Sequence, residues 1–120
     1  GIIVFDLDGG TISDNTASGN ADGFNLQSIT GGTFSGNTAS GGRRRGFFVW
    51  NYYRGTISGN TASENDKGFL VNFEDGNSAV FSNNSATNNT QSGYEIWSGT
   101  PFDGIMTNTG SGNGGGGDNF

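Results

Sequence analysis

Three near copies of one short string decide how this chain folds: Ile12-Ser-Asp-Asn15-Thr-Ala-Ser18, Phe34-Ser-Gly-Asn37-Thr-Ala-Ser40 and Ile57-Ser-Gly-Asn60-Thr-Ala-Ser63. Two looser copies follow, Phe81-Ser-Asn-Asn84-Ser-Ala-Thr87 and Ile105-Met-Thr-Asn108-Thr-Gly-Ser111. Their first residues lie 22, 23, 24 and 24 positions apart. Self-similarity at a period of about 20–50 residues marks solenoids, propellers and arrays. The small drift in spacing fits coils joined by loops of variable length.

A second block runs in step with the first: Gly1-Ile-Ile-Val4, Gly23-Phe-Asn-Leu26, Gly46-Phe-Phe-Val49, Gly68-Phe-Leu-Val71 and Gly93-Tyr-Glu-Ile96. Alternation within a strand sends successive side chains to opposite faces. Ile2, Phe24, Phe47, Phe69 and Tyr94 therefore form one inward column, and Val4, Leu26, Val49, Val71 and Ile96 another. The mixed column between them, Ile3, Asn25, Phe48, Leu70 and Glu95, points outward. In the first block Ile12, Phe34, Ile57, Phe81 and Ile105 point inward, followed after a bend by the small residues Ala17, Ala39, Ala62, Ala86 and Gly110. A third inward position falls to Leu7, Ile29, Tyr52 or Tyr53, Phe73 and Phe102.

Between the inward columns of the first block stand Asn15, Asn37, Asn60, Asn84 and Asn108, at a corner where the chain must turn. Asn tolerates unusual backbone angles, and an amide stacked on the amide of the next coil makes a ladder of side-chain hydrogen bonds. The reading is an all-β chain: a single-stranded parallel β-helix, right-handed by expectation, of about five coils of 22–25 residues with an internal Asn ladder. Approximate coils are 1–22, 23–45, 46–67, 68–92 and 93–119, with a Gly-rich loop over 110–117, and the whole is one solenoid. Each coil buries its faces only by stacking on its neighbours.

Composition agrees with a thin core. Of 120 residues, 30% are apolar and 13% charged, against about 25% charged in an ordinary globular domain. More than half are Gly, Asn, Ser or Thr, which break or cap helices and exclude a helical bundle. Such polarity is also the signature of disorder. Aromatics at 12%, set in regular columns, argue the other way. The net charge of −6 excludes general nucleic-acid binding, which needs a basic footprint. No apolar run is long enough for membrane insertion. The chain has no Cys and no His, which removes disulfides, thiolate sites and the commonest base and metal ligand. The start at Gly1 and the return of Phe120 to the phase of Ile2 and Tyr94 read as a processed product or an excerpt, without caps.

The strings around Phe34-Ser-Gly-Asn37-Thr-Ala39, Ile57-Ser-Gly-Asn60-Thr-Ala62 and Phe81-Ser-Asn-Asn84-Ser-Ala86 resemble the repeats of polymorphic outer membrane proteins, as do Gly9-Gly10-Thr-Ile12 and Gly31-Gly32-Thr-Phe34 before the first two copies. That family's hallmarks are Phe-x-x-Asn and Gly-Gly-Ala-Ile. The resemblance spans about residues 1–111. It implies a right-handed β-helical passenger domain at a bacterial surface, used in adhesion or as a structural element.

Catalysis is not expected. Polysaccharide-cleaving solenoids gather two or three carboxylates on one outward strand face, because acid, base and metal ligands must converge on one sugar. Here Asp6, Asp8, Glu74, Asp75, Glu95 and Asp103 are scattered, and Asp6, Asp8 and Asp22 lack a recognised calcium spacing. No cofactor or metal is expected. Two outward surfaces are candidate sites. One gathers Arg43, Arg44, Arg45, Phe48, Trp50, Tyr52, Tyr53 and Arg54, with Trp97 in the Trp50 column, and suits a glycan or a protein partner. If copies pack laterally, this surface meets an acidic loop over Glu64 to Asp66; the competing reading folds Tyr52 or Tyr53 into the core and leaves the arginines in water. The other pairs Thr11 with Ser13, Thr33 with Ser35 and Thr56 with Ser58, a hydroxyl array that competes as an ice face, although Val80, Gly104 and Met106 interrupt it. The function read from all this is a non-enzymatic extracellular or cell-surface structural or adhesive solenoid. Its expected partners are copies of itself, end to end or side by side in a fibre or filament, or a host or cell-surface protein or glycan.

Overall fold

The computed structural model describes residues 1–98 and 107–115. Predictions on Phe102, Asp103, Gly104, Ile105, Met106 and Phe120 lie outside them. Twelve strands follow in order: β1 Ile2–Phe5, β2 Thr11–Ser13, β3 Thr16–Ser18, β4 Asp22–Ile29, β5 Thr33–Ser35, β6 Thr38–Ser40, β7 Arg45–Ser58, β8 Thr61–Ser63, β9 Lys67–Ser82, β10 Ser85–Thr87, β11 Ser92–Ser98 and β12 Thr109–Ser111. Every pairing is parallel and joins a strand to its counterpart one coil away. The chain is a β-solenoid of three faces.

Face 1 stacks β1, β4, the first half of β7, the first half of β9, and β11. Its register, Ile2 to Phe24 to Phe47 to Phe69 to Tyr94, is the column read from the sequence. Face 2 stacks β2, β5 and the ends of β7 and β9 through Ile12, Phe34, Ile57 and Phe81. Because β7 and β9 bend from one face into the next, faces 1 and 2 share one seven-stranded sheet. Face 3 is a separate five-stranded sheet of β3, β6, β8, β10 and β12, centred on Ala17, Ala39, Ala62, Ala86 and Gly110. Thr109–Ser111 being strand, the predicted 110–117 loop begins later than its first residues.

The core is a column one residue thick. Phe24, Phe47, Phe69 and Tyr94 are fully buried and stacked nearly parallel, with centroids 4.9, 4.7 and 5.2 Å apart. Phe34 and Phe81 meet that stack edge-on, at 5.4 and 5.7 Å from Phe24 and Phe69. Each such pair contributes about 0.5–1.5 kcal/mol beyond the area it buries. The third inward position is held by Leu7, Ile29, Tyr52 and Phe73. Tyr52, not Tyr53, is the inward tyrosine: Asn51 takes a positive φ of 58° and the register shifts there, so coil 3 gains a residue relative to coil 4.

The corner Asn ladder forms, but its backbone differs from expectation. None of the five ladder asparagines has a positive φ; the residue before each of the first four does, namely Asp14 (58°), Gly36 (64°), Gly59 (66°) and Asn83 (55°). One left-handed residue turns the chain and leaves the following Asn free to point inward. Asn37, Asn60, Asn84 and Asn108 are buried. Each Oδ1 accepts two bonds from the preceding coil's Asn, one from its backbone N–H and one from its amide, as in Asn60 to Asn84 at 3.0 and 3.0 Å. The same Asn60 amide also donates to Phe34 and Ser58 carbonyls. A buried polar column is tolerated because its groups are paired in this way.

Sequence reading missed a second ladder at the next corner. Asn65 and Asn89 are buried and repeat the pattern, with Asn65 donating to Asn89 and Asn89 to Asn113. Gly42 occupies this position in coil 2 and donates its N–H to Asn65. Again the preceding residue is left-handed: Gly41, Glu64, Asn88 and Gly112. The signal was present as Ser/Thr-x-Asn at the end of each copy, but the Gly in coil 2 hid it. The ladder also explains the glycines at 46, 68 and 93, while at Gly23 an added Cβ would meet the Ala39 Cβ and the Gly46 carbonyl, both at 2.7 Å. A Cβ on Gly46 would lie 2.8 Å from Asn65 Nδ2 and 2.8 Å from the Gly68 carbonyl.

Candidate functional site

Two outward columns of face 1 run between the inward ones. The first holds Ile3, Asn25, Phe48, Leu70 and Glu95, and the second Phe5, Gln27, Trp50, Asn72 and Trp97. Ile3 and Phe5 are both 62% exposed and Trp97 51%, and these are the exposed large hydrophobic residues among those described. All three therefore stand on one side of one sheet. Phe48 and Trp50 lie 5.7 Å apart, and Trp50 reaches across a coil to meet Trp97 edge-on at 5.5 Å.

The arginines divide. Arg45 donates twice to Asp22, Nε to Oδ1 at 2.7 Å and a terminal nitrogen to Oδ2 at 2.8 Å, and its guanidinium lies 3.7 Å above the Phe48 ring. The predicted solvated role is thus corrected for Arg45, because Asp22 stands opposite it in the strand register. Burial of Asp22 raises its pKa, but the Arg45 hydrogen bonds and the charges of Arg45 and Arg44 outweigh this and hold the carboxyl below its ordinary value. Arg44 is exposed and touches Asp22 only at 3.8 Å; Arg43 is exposed.

Tyr52 leaves the predicted surface altogether. It is fully buried against Phe73, and desolvation pushes its phenol well above the ordinary value. Tyr53 and Arg54 pair with each other at 5.2 Å beyond the Asn51 bend, apart from the Phe48–Trp50–Trp97 strip.

The acidic loop is corrected too. Asn65 is a ladder member, and Asp66 accepts a 2.8 Å hydrogen bond from Thr90. Asp66 lines the same cleft of about 210 Å³ as Arg44, Arg45, Lys67, Leu70 and Gln91. The Arg loop and the acidic loop are therefore neighbours within one molecule. Lys67 is bound by Glu95 at 2.6 Å. Leu70, outward by alternation, is nonetheless only 8% exposed and forms part of this cleft beside Phe48. Among the described residues no three His, Cys, Asp or Glu side chains converge as a metal site.

The hydroxyl pairs align as read, Thr11 to Thr33 to Thr56 and Ser13 to Ser35 to Ser58, and end at Val80 in coil 4. Face 3 carries a longer array that sequence reading passed over. Thr16, Thr38, Thr61, Ser85 and Thr109 align on one side of the Ala column, and Ser18, Ser40, Ser63, Thr87 and Ser111 on the other.

Parallel coils, a triangular section, an aromatic core column and stacked amides at two corners define a parallel β-solenoid. The chain belongs to the right-handed β-helix family, whose model, described as a right handed beta helix region, matches residues 1–118. No curated protein and no solved structure gives a match.

Proposed function

We propose that this chain is a non-enzymatic structural and adhesive element displayed outside the cell, and that it holds its partner through the outward side of face 1. One observation carries the reading: Phe48, Trp50 and Trp97 form a continuous aromatic strip beside the Arg45–Asp22 pair, with Trp97 half exposed. Aromatic residues and Arg dominate the energetics of interfaces, and an aromatic strip open to water is costly unless something covers it. The likeness of the repeats to outer-membrane passenger domains supports a place at a surface. Against catalysis stands the tying of Asp22 to Arg45 and of Glu95 to Lys67, which leaves these carboxylates without a free partner role in acid–base chemistry.

Retention on a glycan array and on a film of the chain itself tests the reading. Wild type is retained on one of them and Trp97→Ser is not; equal retention of both proteins sinks the adhesive face. Cleavage of a polyuronate by the purified chain overturns its non-enzymatic part.

A second reading, ice binding, draws on face 3, where hydroxyl residues repeat through five strands at about 4.8 Å between coils and about 7 Å along each strand. Thermal hysteresis abolished by Thr61→Tyr would favour it, and its absence in wild type removes it.

A further inference from the structure

We infer that the occupant of face 1 is a second copy of this chain, packed face to face about a two-fold axis that lies along the strands at the third coil. The inference rests on reading face 1 as the binding face and names what covers it.

Composition of the face points to a protein surface. In a chain of net charge −6, the two outward columns contain a single charged side chain, Glu95, and that one is bound by Lys67 at 2.6 Å. Charged residues gather instead along one border, where Arg44, Arg45, Asp66 and Lys67 line the cleft and Asp22 pairs with Arg45. An uncharged aromatic centre with a charged rim is the anatomy of a protein–protein interface. Two like-charged molecules can approach there because the acids of this face and its border stand beside cations, Asp22 bound by Arg45, Glu95 by Lys67, and Asp66 in one cleft with Arg44.

Register then selects the arrangement. A two-fold axis along the strands reverses the order of coils while preserving position along each strand, so coil 1 meets coil 5 and coil 3 meets itself. Phe5 is set against the partner's Trp97, Gln27 against the partner's Asn72, and Trp50 against the partner's Trp50. The exposed aromatic rings at the two ends of the second column thus cover each other, and the amides between them face amides. Five strands stacked at about 4.8 Å span about 19 Å, and the longest extent of the molecule is 31 Å, so one face offers on the order of 500–600 Å², the share each partner gives to a small, reversible interface.

The chain reports on this by itself. Its two tryptophans, Trp50 and Trp97, both lie on face 1, so all indole fluorescence comes from the proposed interface. Sedimentation velocity over a dilution series, with tryptophan emission and iodide quenching read on the same samples, tests it. The expected result is a dimer mass with blue-shifted, quencher-protected emission, giving way together on dilution to monomer mass and red-shifted emission. Phe5→Ser and Trp97→Ser, both outside the core, each weaken dimerisation at least tenfold, the loss usual for one buried interface aromatic, while Thr61→Ser on face 3 leaves it unchanged. Monomer mass at every concentration overturns the inference, as does a dimer indifferent to Phe5→Ser and Trp97→Ser. If the monomer is instead retained on a glycan array through Trp97, the pairing falls and the adhesive face stands. If wild type and Trp97→Ser agree in mass and in retention, both fall.

Discussion

Asn60 Oδ1 accepts two hydrogen bonds from Asn37, from its backbone N–H at 2.9 Å and from its side-chain amide at 3.1 Å, while Asn60 makes the same pair of donations to Asn84. One side chain thereby ties three coils together inside a fully buried column.

Replacing it by leucine removes every bond of the Asn60 side chain and keeps only the backbone N–H donation of residue 60 to Asn84. Asn60→Leu leaves the Asn37 backbone N–H without its acceptor, takes one of two bonds from the Asn37 amide and from Asn84 Oδ1, and removes a donor from the Phe34 and Ser58 carbonyls. At about 1–3 kcal/mol for a buried group left unsatisfied, and with the weakened bonds beside it, the middle coil is expected to lose several kcal/mol. Asn15→Leu, at the half-buried end of the ladder, costs less. Urea denaturation of the two variants checks the order, and equal losses would show that burial does not set the value of a ladder rung.

Gly68 sits under the second ladder, where an added Cβ would lie 2.5 Å from the Gly93 carbonyl and 2.9 Å from Asn89 Nδ2. Both neighbours are held by coil-to-coil hydrogen bonds and have little room to yield. Gly68→Ala is therefore expected to destabilise by about 1–3 kcal/mol, the usual cost of overpacking. Gly41→Ala is a contrast: it has open space but a φ of 63°, and costs about 1–2 kcal/mol through backbone strain alone. Thermal melts of both, with crystallography of the first, separate crowding from strain.

Glu64 holds the left-handed position that Gly19, Gly41 and Gly112 hold in other coils, with φ 58° and its side chain in solvent. Glu64→Gly relieves that strain and is expected to stabilise by up to about 1 kcal/mol, the gain being reduced by the greater freedom of glycine in the unfolded chain. A lower melting temperature for this variant would contradict the assignment of strain to the corner.

Acid should weaken the fold through Asp22. Its folded pKa lies below the ordinary value because Arg45 and Arg44 outweigh its burial. Stability from this pair is fully present above the pH where an unfolded aspartate ionises, about 3.9, and is lost as pH falls through the lower folded pKa. Melting temperature measured from pH 6 downward should fall more steeply for wild type than for Asp22→Asn. Parallel curves would mean that the ion pair contributes nothing.

The fold and the site were legible to different depths. The period, the inward Phe column and the first ladder stood in the linear order of residues, because each strand pairs only with its counterpart one period away and alternation is local. Phe24, Phe47 and Phe69 stack as their spacing required. The second ladder escaped because Gly42 breaks its column, and Glu64 to Asp66 looked like a charged loop around a residue that is in fact buried. Which of Tyr52 and Tyr53 turns inward depended on a single left-handed residue, Asn51, that no alternation pattern encodes.

By itself, then, the sequence determined a parallel solenoid with amide corners, since repetition forces like residues to stack on like. Only the tertiary structure decided the make-up of the candidate surface. It drew Arg45 onto Asp22 and Phe48, folded Tyr52 away, brought Asp66 beside Arg44, and joined Trp50 to Trp97 across a coil. Those contacts run between coils and depend on side-chain reach across the register, a distance set by stacking and not by position along the chain.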